Sequence, residues 1–226
     1  MIVVQNGSFI GYEGFARLKG IIFLKTSRAL SPGEAANLGA ARAKGDYFAF
    51  HEDDDFWHRD YLTETSQRIQ ECGDQLYASK LVMLAPDGTV IREKTIPGGK
   101  KQRSVFHSNP GFTGHNIVVS RSLFEKLGGF SHSIRSSQDR DFLVRSISCG
   151  VFATPINRAV AFKNSHPGPQ VSDTFLPSNR QFFAAHWRKM TTAEMARSMS
   201  VLGKRHLFSY LGLPQDFVMR LRRSTK

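Results

Sequence analysis

The sequence predicts an α/β domain in which a mostly parallel, Rossmann-type sheet is flanked by helices. Three observations carry that expectation. Apolar runs of strand length alternate with a helical segment in the first 50 residues. The helix between the second and third runs carries a full set of start signals. An acidic run then follows directly on the third strand, at the carboxyl end, where open α/β sheets bind ligands.

Met1-Ile-Val-Val-Gln5 forms the first strand and Asn6-Gly7-Ser8 its closing turn. Residues Gly20 to Lys25 form the second. In Ser31-Pro32-Gly33-Glu34 the serine is an N-cap, the proline takes the first helical position, and the glutamate completes a capping box. That helix should run from Ala35 to about Lys44 and end at Gly45. Tyr47-Phe-Ala-Phe50 is the third strand and leads into His51-Glu52-Asp53-Asp54-Asp55. A helix should cover Asp60 to Glu71. Residues 76–92 alternate as one or two strands around the turn Pro86-Asp87-Gly88. The stretch Pro97 to Pro110 is rich in Gly, Lys, Arg and Ser and is expected to be a mobile loop. Ile117-Val-Val119 is a strand, Ser122 to Leu127 a helix stopped by Gly128-Gly129, and Gln138 to Ser148 a helix with Phe142, Leu143 and Ile147 on its apolar side. The expected division is a catalytic-type domain over 1–176 and a helical, basic C-terminal extension over 177–226.

Composition narrows the function classes. With 226 residues, 40% apolar and 22% charged, the chain is long enough for one α/β domain with a real core. No apolar run approaches the ~18–20 residues that cross a bilayer. Cys72 and Cys149 are too few for a disulfide framework and fit a reducing compartment. The first residues show no secretory signal pattern, so the expected location is the cytoplasm. The net charge of +12 asks for an anionic partner, whether nucleic acid, anionic membrane or phosphorylated substrate. Ten Lys and Arg from Arg180 onward face only Glu194 and Asp216.

Four consecutive carboxylates repel one another, so a cation or solvent must compensate them. A solvated acidic turn is the plain reading. The functional one is a divalent cation, Mg²⁺ or Mn²⁺, which prefers oxygen ligands and is held by one or two carboxylates plus substrate phosphates. The apolar strand before the run and Phe56-Trp57 after it favour the second. A zinc-protease reading of His51-Glu52 fails for want of a second histidine four residues on.

Five segments in order now resemble the family 2 glycosyltransferases. Ile2-Val-Val-Gln-Asn-Gly-Ser8 is similar to that family's strand ending in Asp-Asp-Gly-Ser. Ala36-Asn37-Leu38-Gly39 and Ala43-Lys44-Gly45-Asp46-Tyr47 are similar to its Asn-x-Gly helix and the strand that follows. Phe50 to Trp57 is similar to its Asp-x-Asp segment, with Leu62 after it. Leu123-Phe124-Glu125 with Gly128-Gly129-Phe130, then Ser137-Gln138-Asp139-Arg140-Asp141-Phe142 with Arg145, match the element that carries its base. The resemblance covers about residues 1–170.

The resemblance implies a GT-A-like fold and an inverting, metal-dependent transfer of a sugar from a nucleotide-sugar donor to an acceptor hydroxyl. It implies Asp139 as the general base. Asn6, Asn37, Asp53 and Asp54 would hold the donor, and Asp53, Asp55 and His166 the divalent cation. Gly111, Gly114 and Asn116 fall on the acceptor-side loop. The implied setting is cell-surface polysaccharide or glycolipid synthesis, with a glycan or lipid-linked acceptor. This sequence departs from the pattern at Gln5 and Asn6 in place of acids, at Ala36 in place of Arg, at Glu52 in place of Asp and at Gln138 in place of Glu. It also starts at what the family pattern makes the second strand, and the loss of a central strand should expose apolar surface.

The basic, aromatic-containing stretch from Trp187 to Lys226 is either a set of helices packed on the domain or an interfacial element at an anionic membrane, peripheral at the inner face. Two other readings compete. One is a non-catalytic basic binding protein for membrane or nucleic acid on a decayed scaffold. Such a protein has no reason to keep Asp53, Asp55 and Asp139 together, and most aromatics fall at core positions, which disfavours nucleic acid. The other is a nucleotidyltransferase, which should show a Gly-rich, basic phosphate loop near its N-terminus, a feature this sequence lacks.

Overall fold

β1 (Ile2–Gln5) and β2 (Ile22–Lys25) pair in parallel as a two-stranded sheet. Helix α1 (Pro32–Ala40) follows, and its start is the one its sequence specifies. The Ser31 hydroxyl accepts from the Glu34 amide at 3.3 Å, and the Glu34 carboxylate accepts from the Ser31 amide at 2.8 Å. The helix ends before Gly45, with Ala41 as C-cap. Beyond it the chain is drawn toward a later helix: Arg121 donates to the carbonyls of Ala43 and Gly45. The computed structural model describes residues 1–7, 18–134, 137–165 and 175–210.

The larger sheet contains β3 (Tyr47–Ala49), β4 (Phe56–Trp57), β5 (Leu76–Leu84), β6 (Val90–Lys94), β7 (Ile117–Ser120) and β8 (Thr154–Asn164), in the order β3-β7-β5-β8-β4 with β6 also on β5. The α/β layering is as expected, but the strand directions are mixed. Among the described residues only β1–β2 and β5–β8 are parallel, while β3–β7, β5–β7, β5–β6 and β4–β8 are antiparallel. Antiparallel β7 inserts between β3 and β5, which replaces the regular crossover pattern that alternation of strands and helices suggested. Among the described residues no strand pairing joins the two sheets, and α1 spans both. Gly39 lies against the methyls of Val4 and Ile2 on β1, while Ala36 and Ala40 pack in the core that includes Phe48 of β3.

The stretch expected as a mobile loop instead forms a 3₁₀ helix, Gly99–Phe106. Its composition is polar, but Gln102, Val105 and Phe106 are buried. Gln102 both donates to the Ala153 carbonyl at 2.6 Å and accepts from the Ala153 amide at 2.9 Å. Such a reciprocal pair removes the cost of burying an amide.

Helices α2 (Tyr61–Cys72), α3 (Arg121–Lys126) and α4 (Gln138–Ser148) cover the sheet. Phe48, Phe50, Phe124, Phe130 and Phe142 make an edge-to-face and tilted cluster, with centroids 5.1–6.4 Å apart, that joins β3 to α3 and α4. Helices α5 (Phe175–His186) and α6 (Thr192–Tyr210) pack on the same body. Phe182 lies in the main core, and Arg140 stacks on its ring at 3.8 Å while donating to the carbonyls of Val105 and Phe106. His186 Nε2 meets Asp141 Oδ1 at 2.8 Å, Arg103 forks onto Glu194, and Ser198 donates to Phe106.

Gln138, at the start of α4, ties α4 to α1. Its Oε1 accepts from the Gly33 amide at 2.7 Å, and its Nε2 donates to the Ser131 carbonyl and the Ser31 hydroxyl. A Cβ on Gly33 would stand 2.6 Å from Gln138 Cδ. Alanine there must displace an amide that holds three hydrogen bonds. The expected net cost of Gly33→Ala is about 1–2 kcal/mol, after the gain of up to ~1 kcal/mol that alanine brings to a helix. Thermal melting checks this, and Gly33→Ala in a Gln138→Ala background should cost much less.

Candidate active site

The acidic run lies on the loop between β3 and β4. Phe50, packed in the aromatic cluster, anchors its start. Its end is fixed by β4 against β8: Phe56 stacks on Phe162 with centroids 4.7 Å apart, and Trp57 stacks on Tyr61 at 4.4 Å. The Trp57 indole donates to the His115 carbonyl at 2.7 Å. Between these anchors Asp53 and Asp54 are exposed, Glu52 is half-buried and Asp55 is buried.

Asp55 points into the protein. Its Oδ1 accepts from the Asn164 amide at 2.9 Å. Among the described residues its Oδ2 makes no hydrogen bond, and it lies 3.1 Å from His115 Nδ1 and 3.6 Å from Lys163 Nζ. Lys163 donates to Glu52 Oε2 at 3.3 Å. Glu52, Asp55 and His115 each offer a ligand atom within 4.8 Å of the others. A short loop carries His115 there. Asn109 accepts from the amides of Gly111 and Phe112, and Asn116 donates to Ser79 and Gly111. Gly111, at φ +110°, allows a close approach to Lys94, because a Cβ would lie 2.9 Å from Lys94 Cβ.

Burial dominates the electrostatics. It raises the Asp55 carboxyl to about 6 against the opposing pull of Lys163 and the Asn164 amide. It lowers His115 to about 3, with Lys163 adding to the effect, so the imidazole is neutral at physiological pH. Burial also pulls Lys163 down, yet Glu52 and Asp55 hold it above the ordinary lysine range. Asp139, at the N-terminus of α4, is raised to about 6 by burial, with the nearby Glu52 charge acting in the same direction and the Arg140 amide and Lys163 against it. Lys94 is lowered by burial and Arg92 while Asp139 acts to raise it, which places that lysine near the same carboxylate.

Asp55 and Asp139 therefore converge on one region, as their spacing in the sequence could not show. Asp53 and Asp54 flank it on the exposed side. Asn6 and Asn37 have structural bonds: Asn6 donates to the Leu30 carbonyl and accepts from its amide, and Asn37 does the same with Phe130. Asn37 also lines an open groove of about 520 Å³ with Lys25, Thr26, Arg28, Glu34 and His132. His166 lies outside the described residues. Two residues of the cluster carried little signal. His115 sits between Gly114 and Asn116, and Lys163 looks like a strand-end lysine.

A conserved-domain match decides the family: residues 1–128 fit the model described as glycosyl transferase family 2. The chain belongs to glycosyl transferase family 2. An uncharacterized glycosyltransferase of Haemophilus influenzae is 24% identical over 180 residues, covering 74% of this chain and 59% of that relative. The crystal structure of S. aureus TarS 1-349 aligns over 92% of this chain and 62% of its own at TM-score 0.58 and 16% identity. The same protein in complex with UDP-GlcNAc gives TM-score 0.59 at 16% identity, over 92% of this chain and 63% of its own. The likeness shows a shared GT-A fold. This chain spans less than two thirds of the length of each of these relatives.

Asp139 has a folded-state value near 6, above the ~3.9 of an unfolded aspartate, so the folded state binds its proton more tightly. Stability on this account falls as pH rises from about 4 to about 6 and stays reduced above that. Asp139→Asn should then raise stability at pH 7–8 by about 1–2 kcal/mol, discounted for partial solvent screening, and leave it nearly unchanged near pH 4. Melting curves of the two proteins across that range check both the sign and the window.

Proposed function

We propose that the protein is an inverting glycosyltransferase that moves a sugar from a nucleoside-diphosphate donor to an acceptor hydroxyl, aided by Mg²⁺ or Mn²⁺. The observation that carries this reading is the convergence of Asp139 with the Glu52–Asp55–His115 cluster, inside a GT-A fold of this family. TarS has been crystallised with UDP-GlcNAc and with UDP, which supports a uridine diphosphate sugar as the first donor to try.

The cluster fits a divalent cation. It combines two carboxylates with a neutral imidazole, and two of its buried atoms, Asp55 Oδ2 and His115 Nε2, have no hydrogen-bond partner among the described residues. Glu52, Asp55 and His115 would hold the ion, with Asp53 and Asp54 beside them. When bound there, such an ion would supply positive charge to offset that developing on a leaving diphosphate. Asp139 supplies the base. As the acceptor oxygen attacks the anomeric carbon, Asp139 takes the hydroxyl proton. The bond from that carbon to the diphosphate oxygen breaks, and the electron pair leaves with the diphosphate. A single displacement of this kind inverts the anomeric centre. Ser137, in the αL conformation at φ 65°, stands immediately before α4, two residues ahead of Asp139.

The excess of basic residues suits an anionic partner, and we place the enzyme at the cytoplasmic membrane face, acting on a glycan or lipid-linked acceptor in cell-surface polymer or glycolipid synthesis. Calorimetry with UDP and Mn²⁺ tests the donor site: Asp55→Ala should abolish metal-dependent binding, and Asp139→Asn should retain it. Once a donor is found, Asp139→Asn should lower the transfer rate by a factor of about 10² or more. The wild-type rate should fall as pH drops through about 6, where the base becomes protonated. Full transfer by Asp139→Asn would remove Asp139 as the base.

A further inference from the structure

Among the described residues, Lys163 is the strongly basic group paired with both Glu52 and Asp55. Its Nζ lies 3.3 Å from Glu52 Oε2 and 3.6 Å from Asp55 Oδ2, two of the three residues that would hold a divalent ion. We propose that the Lys163 ammonium is the resident counter-ion of this cluster, and that it and a divalent cation are alternative occupants of the same two carboxylates. This rests on the metal-assisted reading given above.

Charge and placement carry the argument. Glu52 and Asp55 bring two negative charges, and the ammonium balances one of them. A divalent ion added to that arrangement would stand close to a fixed positive charge in a half-buried site, where screening is weak. The backbone cannot relieve this repulsion, because β8 is locked on β5 with Lys163 opposite Met83. The side chain can. It is 29% exposed, so the ammonium can swing out while its stem stays packed. Asp55 Oδ2, which accepts no hydrogen bond among the described residues, is then available to a metal as ligand. A donor diphosphate supplies phosphate oxygens as new partners for the displaced ammonium. Metal binding without nucleotide should accordingly be weak in the native protein.

The test is Mn²⁺ binding without nucleotide, followed by the paramagnetic resonance of free Mn²⁺, on wild type, Lys163→Met and Lys163→Arg. Melting curves confirm that each is folded, and Lys163→Gln replaces the Met variant if that one does not fold. Lys163→Met should bind Mn²⁺ at least about tenfold tighter than wild type, whereas Lys163→Arg, which keeps the charge, should not. A lysine with only a packing role would lower metal affinity when removed. Equal or weaker binding by Lys163→Met, with binding by wild type intact, overturns the proposal and leaves metal assistance standing. Absence of Mn²⁺ binding in all variants, even with UDP present, overturns the metal-assisted reading and this proposal with it.

Discussion

Burying an ionised carboxylate is costly unless cations or hydrogen-bond donors meet it, and here three carboxylates approach one another at one end of the larger sheet. That constraint explains much of the surrounding structure. β8 contributes the Asn164 amide to Asp55 and the Lys163 ammonium to Glu52, so the register of β8 on β5 sets the charge balance of the site. Trp57 holds the His115 carbonyl, and the asparagines at 109 and 116 brace the loop that carries the imidazole. None of these groups reacts with substrate in the proposed mechanism. They keep the carboxylates charged and in place.

Helix α4 shows how environment separates two similar residues. Asp139 and Asp141 are two positions apart. Burial dominates at Asp139 and raises its carboxyl to about 6. Burial acts on Asp141 as well, but His186 and Arg145 more than offset it and hold that carboxyl below the usual range. Arg145 extends the network to the carbonyls of Leu127 and Gly129, and His186 brings in α5. One carboxylate therefore serves packing and stays ionised, while its neighbour is left poorly compensated beside the cluster, as the proposed role of base requires. The instability expected from ionised Asp139 is the counterpart of its availability.

The sequence made the local elements legible because their signals are local. The Ser31–Glu34 box, the Pro86-Asp87-Gly88 turn and the Gly128-Gly129 stop all act within a few residues, and each appears where its residues place it. Strand direction was less legible, because β7 joins β3 and β5 through contacts that no single segment records. The 3₁₀ helix over 99–106 was hidden for a similar reason: its polar composition concealed one buried glutamine whose partner, Ala153, is 51 residues away. At the site, Asp55 and Asp139 could be picked out through motifs, but His115 and Lys163 could not. A lone histidine or strand-end lysine has many ordinary explanations, and only the fold reveals that both reach the same carboxylate.

The glutamine at 138 links these two levels. Its neighbour Asp139 lies beside the acidic cluster, while its own side chain reaches the start of α1. The family pattern has an acid at this position. Here the amide donates to the Ser131 carbonyl and the Ser31 hydroxyl, and its oxygen accepts from Gly33. A glutamate could keep the last of these bonds but could not donate the other two. It would also add a negative charge one residue from Asp139, in a region where Glu52 already raises that carboxyl. The amide therefore joins α1 to α4 without worsening the charge repulsion. With Asn37 of α1 clasping Phe130, it fixes α1, and the groove that α1 lines, against the helix that carries Asp139.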